Sequence, residues 1–103
     1  MPLTPAVFHV LLALAGEERH GYAILKEILR LTGGGMRMQA GTLYGTLQRL
    51  LEADLVEQVP PPRGRAHADS RRRYYRLTRA GRRVLSGEVD RMAALVRVAR
   101  SLT

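Results

Sequence analysis

The sequence predicts a mainly α-helical fold with one small β-hairpin, and three observations carry that prediction. Three stretches in the first half place apolar residues at helical spacing. An arginine- and tyrosine-rich run, Arg71–Leu77, then has the look of a strand. From Thr78 onward the spacing is helical again. At 103 residues the chain makes one unit with a modest core.

The first helix starts at Thr4, a hydroxyl N-cap, followed by Pro5 where a missing N–H costs nothing. It runs to about Ala15 and is apolar on most faces (Val7, Phe8, Val10, Leu11, Leu12, Leu14), which predicts enclosure by other elements. "GEERH" breaks it. A second helix, about Gly21 to Leu31, carries Tyr22, Leu25, Ile28 and Leu29 at helical spacing. It stops at Gly33–Gly35, where left-handed backbone is cheap. The third runs from about Ala40 to Ala53. "LVEQVPPP" reads as a short strand closed by prolines, "GRAHADS" as a loop, and "RRRYYRL" as a second strand. In that strand Arg73, Tyr75 and Leu77 fall on one side and Arg72, Tyr74 and Arg76 on the other. Thr78 caps a last helix that reaches towards Arg100.

The charge is lopsided. Seventeen Lys+Arg face nine Asp+Glu, a formal +8, which favours DNA, RNA or an anionic membrane as partner. With no cysteine there is neither a disulfide framework nor a thiolate metal site, which suits a cytoplasmic protein. The apolar segment Pro5–Gly16 is about half the length of a membrane span and lacks the flanks of a signal peptide. His9, His20 and His67 are scattered, so no metal site is expected. His9 reads as a core or interface histidine and His20 as a helix-start residue. No nucleophile–base pair or phosphate loop appears, so neither catalysis nor a cofactor is expected.

The third helix is the informative one. On a helical wheel Leu43, Leu47, Leu50 and Leu51 gather on one face, with Tyr44 at its edge. Gly41, Thr42, Gly45, Gln48, Arg49 and Glu52 lie opposite. Glycine on an exposed helix face costs about 1 kcal/mol against alanine and gains nothing in the core. Close approach to a large partner would use it. In a DNA major groove Gln pairs with adenine and Arg with guanine, while hydroxyls and helix N-terminal amides take phosphates.

Nine arginines lie between Arg63 and Arg83 (63, 65, 71, 72, 73, 76, 79, 82 and 83), opposed there only by Asp69. Three helices followed by an arginine-rich hairpin have the winged helix-turn-helix layout. Five or six phosphate contacts would give a salt slope of about −5. Thr42, Gly45, Gln48 and Arg49 are expected to face base edges, with Gly41 allowing close approach. Tyr44, Arg72, Arg73, Tyr74 and Arg76 are expected to hold the backbone.

In the last helix Leu85, Val89, Met92, Val96 and Ala99 are spaced 4, 3, 4, 3, the pattern of helix pairing, and Val84, Leu95, Val98 and Leu102 widen the seam. One terminal helix cannot hide both rows against its own domain, so a homodimer is expected. Residues 1–77 then form the DNA-binding part and 78–103 the dimerisation helix. A two-fold dimer predicts a palindromic operator on double-stranded DNA.

"HGYAILKEI" (His20–Ile28), "GTLYGTLQRLLEADLVE" (Gly41–Glu57) and "RRYYRLTRAGRRVL" (Arg72–Leu85) together resemble the PadR family of bacterial transcriptional regulators. The resemblance covers roughly residues 5–90. It implies a winged-helix repressor, dimeric through its C-terminal helix and often released from its operator by a small-molecule effector. Tyr44 matches the family's recognition-helix tyrosine, and Tyr74–Tyr75 its wing tyrosines. Many members carry proline where this chain has Gly45. The length resembles the branch with a single C-terminal helix. The effector's identity stays open, because the last helix has no Trp, Tyr or Phe. Two alternatives remain from the residues: a sequence-neutral nucleic-acid-binding protein, and a winged-helix protein-interaction module. Membrane binding fits poorly, since the basic residues do not line the polar face of an apolar helix.

Overall fold

A computed structural model describes residues 3–61 and 73–103. The order is α1 (Pro5–Ala15), β1 (Arg19–His20), α2 (Gly21–Leu31), α3 (Ala40–Glu52), β2 (Val56–Val59), β3 (Tyr74–Leu77) and α4 (Arg79–Leu102). Arg63, Arg65, His67, Arg71, Arg72 and the Gly64–Ser70 loop lie outside the described residues.

The helix starts follow from their caps. Thr4 Oγ1 accepts the Val7 N–H at 3.2 Å, with Pro5 opening α1. His20 Nδ1 accepts the Ala23 N–H at 3.2 Å and caps α2. Thr78 Oγ1 accepts the Gly81 N–H at 3.0 Å and caps α4. The end of α2 is a Schellman turn: Gly34 N–H reaches the Leu29 carbonyl at 2.8 Å and Gly33 N–H the Arg30 carbonyl at 3.2 Å. Gly33 and Gly34 both have positive φ, as the glycine run predicts. The end of α3 makes the same motif with Asp54 at φ 60° where glycine is usual.

The sheet has three strands, not two. Its order is β1-β3-β2, antiparallel throughout, with Arg19 opposite Tyr75 and Val56 opposite Leu77. The added strand is the two-residue Arg19–His20, too short to show a period. It sits where the sequence reads a break between helices.

The core is built from α1 (Val10, Leu11, Ala13, Leu14), α2 (Ile24, Ile28), α3 (Leu43, Leu47, Leu50), and Val56, Tyr75, Leu77 and Leu85. Helix α1 touches α2, α3, α4 and β3, which explains its apolar circumference. His9 is half-buried, with Nδ1 donating to the Pro5 carbonyl at 2.7 Å.

Two assignments change. Tyr74, expected to hold DNA backbone, is only 2% exposed, its ring edge-on to His20 with centroids 5.3 Å apart. Leu85, expected at the dimer seam, is 6% exposed and belongs to the domain's own core. From Val89 onward every residue of α4 is exposed. The helix leaves the domain there, which matches overall dimensions of 51 × 28 × 26 Å.

Candidate nucleic-acid interface

The outer face of α3 carries the residues expected opposite the leucines, and Tyr44, expected at the edge of the leucine face, is exposed beside them. Gly41, Thr42, Tyr44, Gly45, Gln48 and Arg49 are all exposed, while Leu43, Leu47 and Leu50 anchor the opposite face in the core. A Cβ built on Gly41 or Gly45 would meet nothing within 4 Å, and neither residue has positive φ. Nothing among the described residues therefore calls for glycine at these two positions, although glycine in a helix interior costs about 1 kcal/mol against alanine.

The start of α3 differs from the other three helix starts. Gln39 is its N-cap but makes no side-chain capping bond; as at the other three starts, no acidic residue lies in the first turn. Without a side-chain cap its first amides keep the positive end of the helix dipole uncompensated, an arrangement suited to an anion.

Gln48 and Arg49 on this face have only weak partners at home. Gln48 Nε2 donates to Glu52 Oε1 at 3.1 Å, an exposed i,i+4 bond worth a few tenths of a kcal/mol, about 0.2–0.5. Arg49 Nη2 lies 3.5 Å from the hydroxyl of Thr46. Thr46 is fully buried and turns that hydroxyl towards Arg49. It is a supporting residue that the i,i+3 spacing could have revealed.

Tyr44 is 52% exposed, and its phenol lies over Gly21 at the start of α2. A Cβ at Gly21 would sit 2.9 Å from Tyr44 Cζ and closer still to the hydroxyl. The glycine of "HGY" is thus the seat of the Tyr44 ring, a relation between two helices that one helical wheel cannot show. Tyr44 also lies near Tyr75, whose phenol pKa is pushed up by burial first and by Tyr44 second, with Arg73 opposing.

Arg73 is exposed just before β3, and on the sheet Arg76 projects outward. Arg76 Nε pairs with Glu57 Oε1 across the strands at 2.6 Å. Exposed pairs of this kind are worth about 0–1 kcal/mol, so a phosphate can replace the carboxylate. Arg79, Arg82 and Arg83 belong to α4, not to the hairpin. Among the described residues no group of three His, Cys, Asp or Glu could hold a metal ion. Among the described residues no helix is long and apolar enough to cross a membrane.

The comparisons with known proteins agree with this geometry. A model of the transcriptional regulator PadR-like family matches residues 10–87. The chain is 41% identical over 91 residues to the transcriptional regulator Rv3488 of Mycobacterium tuberculosis, covering 86% of this chain and 77% of that protein. It superposes on a PadR family transcription regulator from hypervirulent Clostridium difficile with a TM-score of 0.78 at 21% identity, covering 96% of this chain and 98% of that one. It also superposes on Bacillus subtilis PadR in complex with operator DNA, with a TM-score of 0.70 at 19% identity. That match takes in 85% of this chain and 48% of the Bacillus protein. At these identities the two structures share its winged-helix fold.

Proposed function

The chain belongs to the PadR-like family of transcriptional regulators, which are not enzymes, and on that premise we propose a cytoplasmic, dimeric repressor that reads a palindromic operator through α3. The observation that carries the reading is the exposed glycine pair Gly41 and Gly45, which no contact among the described residues requires. Beside it stand the groups that read base edges, Thr42, Gln48 and Arg49. Arg73, Arg76 and Tyr44 would grip the flanking backbone, with Arg72 beside them in sequence. That the Bacillus subtilis relative was solved on operator DNA supports the same class of partner here.

The dimer reading is supported by α4, whose Val89, Met92, Leu95, Val96, Val98 and Leu102 project beyond the domain, Leu102 79% exposed. Ala99 lies on the same seam. Residues 1–77 would bind DNA, and residues 78–103 would supply the pairing helix, rooted in the first domain through Leu85. A small-molecule effector seated between paired α4 helices would meet aliphatic carbon and Met92, because α4 has no aromatic residue.

The test is fluorescence anisotropy with DNA from upstream of the protein's own gene and a scrambled duplex, at several salt concentrations. A preference of about 10³ or more that persists at physiological salt is expected. Equal affinity for both duplexes, vanishing as salt rises, would instead favour a sequence-neutral binder.

A further inference from the structure

The end of α3 and the start of α4 meet in one joint. Asp54 takes the left-handed backbone (φ 60°) that closes α3, with Leu55 N–H reaching the Leu50 carbonyl at 2.9 Å and Asp54 N–H the Leu51 carbonyl at 3.1 Å. The two carbonyls of that turn then point at α4. Thr78 Oγ1 donates to the Asp54 carbonyl at 2.7 Å, and Thr78 N–H to the Leu55 carbonyl at 3.1 Å. The same hydroxyl accepts the Gly81 N–H at 3.0 Å, capping α4. Gly81 is buried, and a Cβ there would run into the Leu55 carbonyl, whose carbon would lie at 2.9 Å. Glycine is required here by close backbone approach, unlike at Gly41 and Gly45.

The joint stands between two functional ends. On one side is the helix proposed to read DNA; on the other is a rod whose exposed half begins only at Val89. In a two-fold dimer that rod fixes the separation of the two α3 helices. Half-sites on one face of DNA lie about 35 Å apart, and the angle at which each domain leaves its rod fixes how the two α3 helices meet them. We infer that the Thr78–Asp54 bond and the Gly81–Leu55 contact set the half-site spacing this protein accepts, making Thr78 and Gly81 positioning residues for operator specificity. This rests on the reading that the chain binds DNA as a dimer.

Two substitutions separate this role from simple capping. Thr78→Ser keeps both the donated and the accepted bond. Thr78→Asp keeps the cap, since aspartate is as good an N-cap as threonine, but cannot donate to the Asp54 carbonyl. The probe is a duplex selected from a random library by the wild-type protein, together with versions one base pair longer or shorter at its centre and a duplex holding a single half-site. Wild type and Thr78→Ser are expected to lose about tenfold or more in affinity on either change of spacing. Thr78→Asp is expected to lose less than about threefold, with single-half-site affinity unchanged. A Thr78→Asp protein that keeps the wild-type spacing profile overturns the proposal. Should that variant not fold, Thr78→Val, which keeps the shape and loses both hydroxyl bonds, takes its place, and a wild-type profile from it overturns the proposal equally. If the wild type selects no duplex with two half-sites, the dimeric DNA reading itself has failed, and the spacing role falls with it.

Discussion

The phenol of Tyr44, on α3, lies directly over Gly21 at the start of α2, with no room between them for a methyl group. Tyr44 is half exposed and its hydroxyl is the far end of a movable side chain, so the ring can give way. Gly21→Ala is therefore expected to change stability by less than about 1 kcal/mol, since the helix propensity of alanine offsets the displacement. Operator affinity should nevertheless fall, by about tenfold. In a Tyr44→Ala background the same substitution should have no further effect on affinity. Additive losses in that double-mutant cycle would mean that Gly21 does not act through Tyr44.

Arg49 and Arg73 are predicted to divide the work. Arg49→Ala should cost about 1–3 kcal/mol on the operator and relax preference at one base position. Arg73→Ala should weaken all sequences alike and reduce the salt slope by about 1. Binding of both variants to operator and random duplexes at several salt concentrations checks this. Equal losses on both duplexes for Arg49→Ala would remove it from base reading.

Seam and core on α4 should respond differently. Met92→Glu places a charge on the exposed seam and is expected to give a folded monomer by light scattering, with single-half-site affinity retained. Leu85→Ala instead empties the domain core and should cost about 2–5 kcal/mol of stability. A Met92→Glu protein that remains dimeric would place the interface elsewhere.

Glu88 gives the fold a pH dependence. Its carboxylate is buried on α4, hydrogen-bonded by Arg91 at 2.8 and 3.0 Å and by the Leu3 N–H at 3.1 Å. Its pKa is held below the ordinary 4.5, chiefly by the Arg91 bond, with burial opposing. A depressed carboxylate stabilises the fold fully above its unfolded pKa, and that contribution disappears as pH falls through the folded value. Glu27, lowered first by its bond to Arg30, acts in the same direction. Melting temperature should therefore drop as pH falls from about 5 through the lowered folded value, and less steeply in Glu88→Gln. An unchanged slope in that variant would remove Glu88 from the acid response.

The helices were legible because their signals are local. Thr4, His20 and Thr78 cap where the sequence places helix starts, and Gly33 and Gly34 close α2 with the backbone that glycine makes cheap. The outer face of α3 was legible for the same reason, since a wheel needs only one helix. What escaped depends on a second element. Tyr74 alternates correctly with Arg76, yet the face it points to is covered by His20. Leu85 fits the heptad seam, but its first turns are still held by the domain. The strand Arg19–His20 has no pattern of its own and exists because β3 offers it a free edge. Gly21 and Gly81 look alike in sequence to Gly41 and Gly45; only the position of Tyr44 and of the Leu55 carbonyl separates glycines kept for packing from glycines facing open space.

That separation bears on the central claim, that α3 is weakened on its outer face so that DNA can come close. The most direct test is Gly45→Ala, measured twice on the same preparation, for thermal stability without DNA and for affinity to the selected operator. The account predicts opposite signs: stability raised by up to about 1 kcal/mol, because the methyl meets nothing among the described residues, and operator affinity lowered. A variant that is more stable and binds its operator as tightly as the wild type would contradict it, for the glycine would then serve neither the fold nor the DNA.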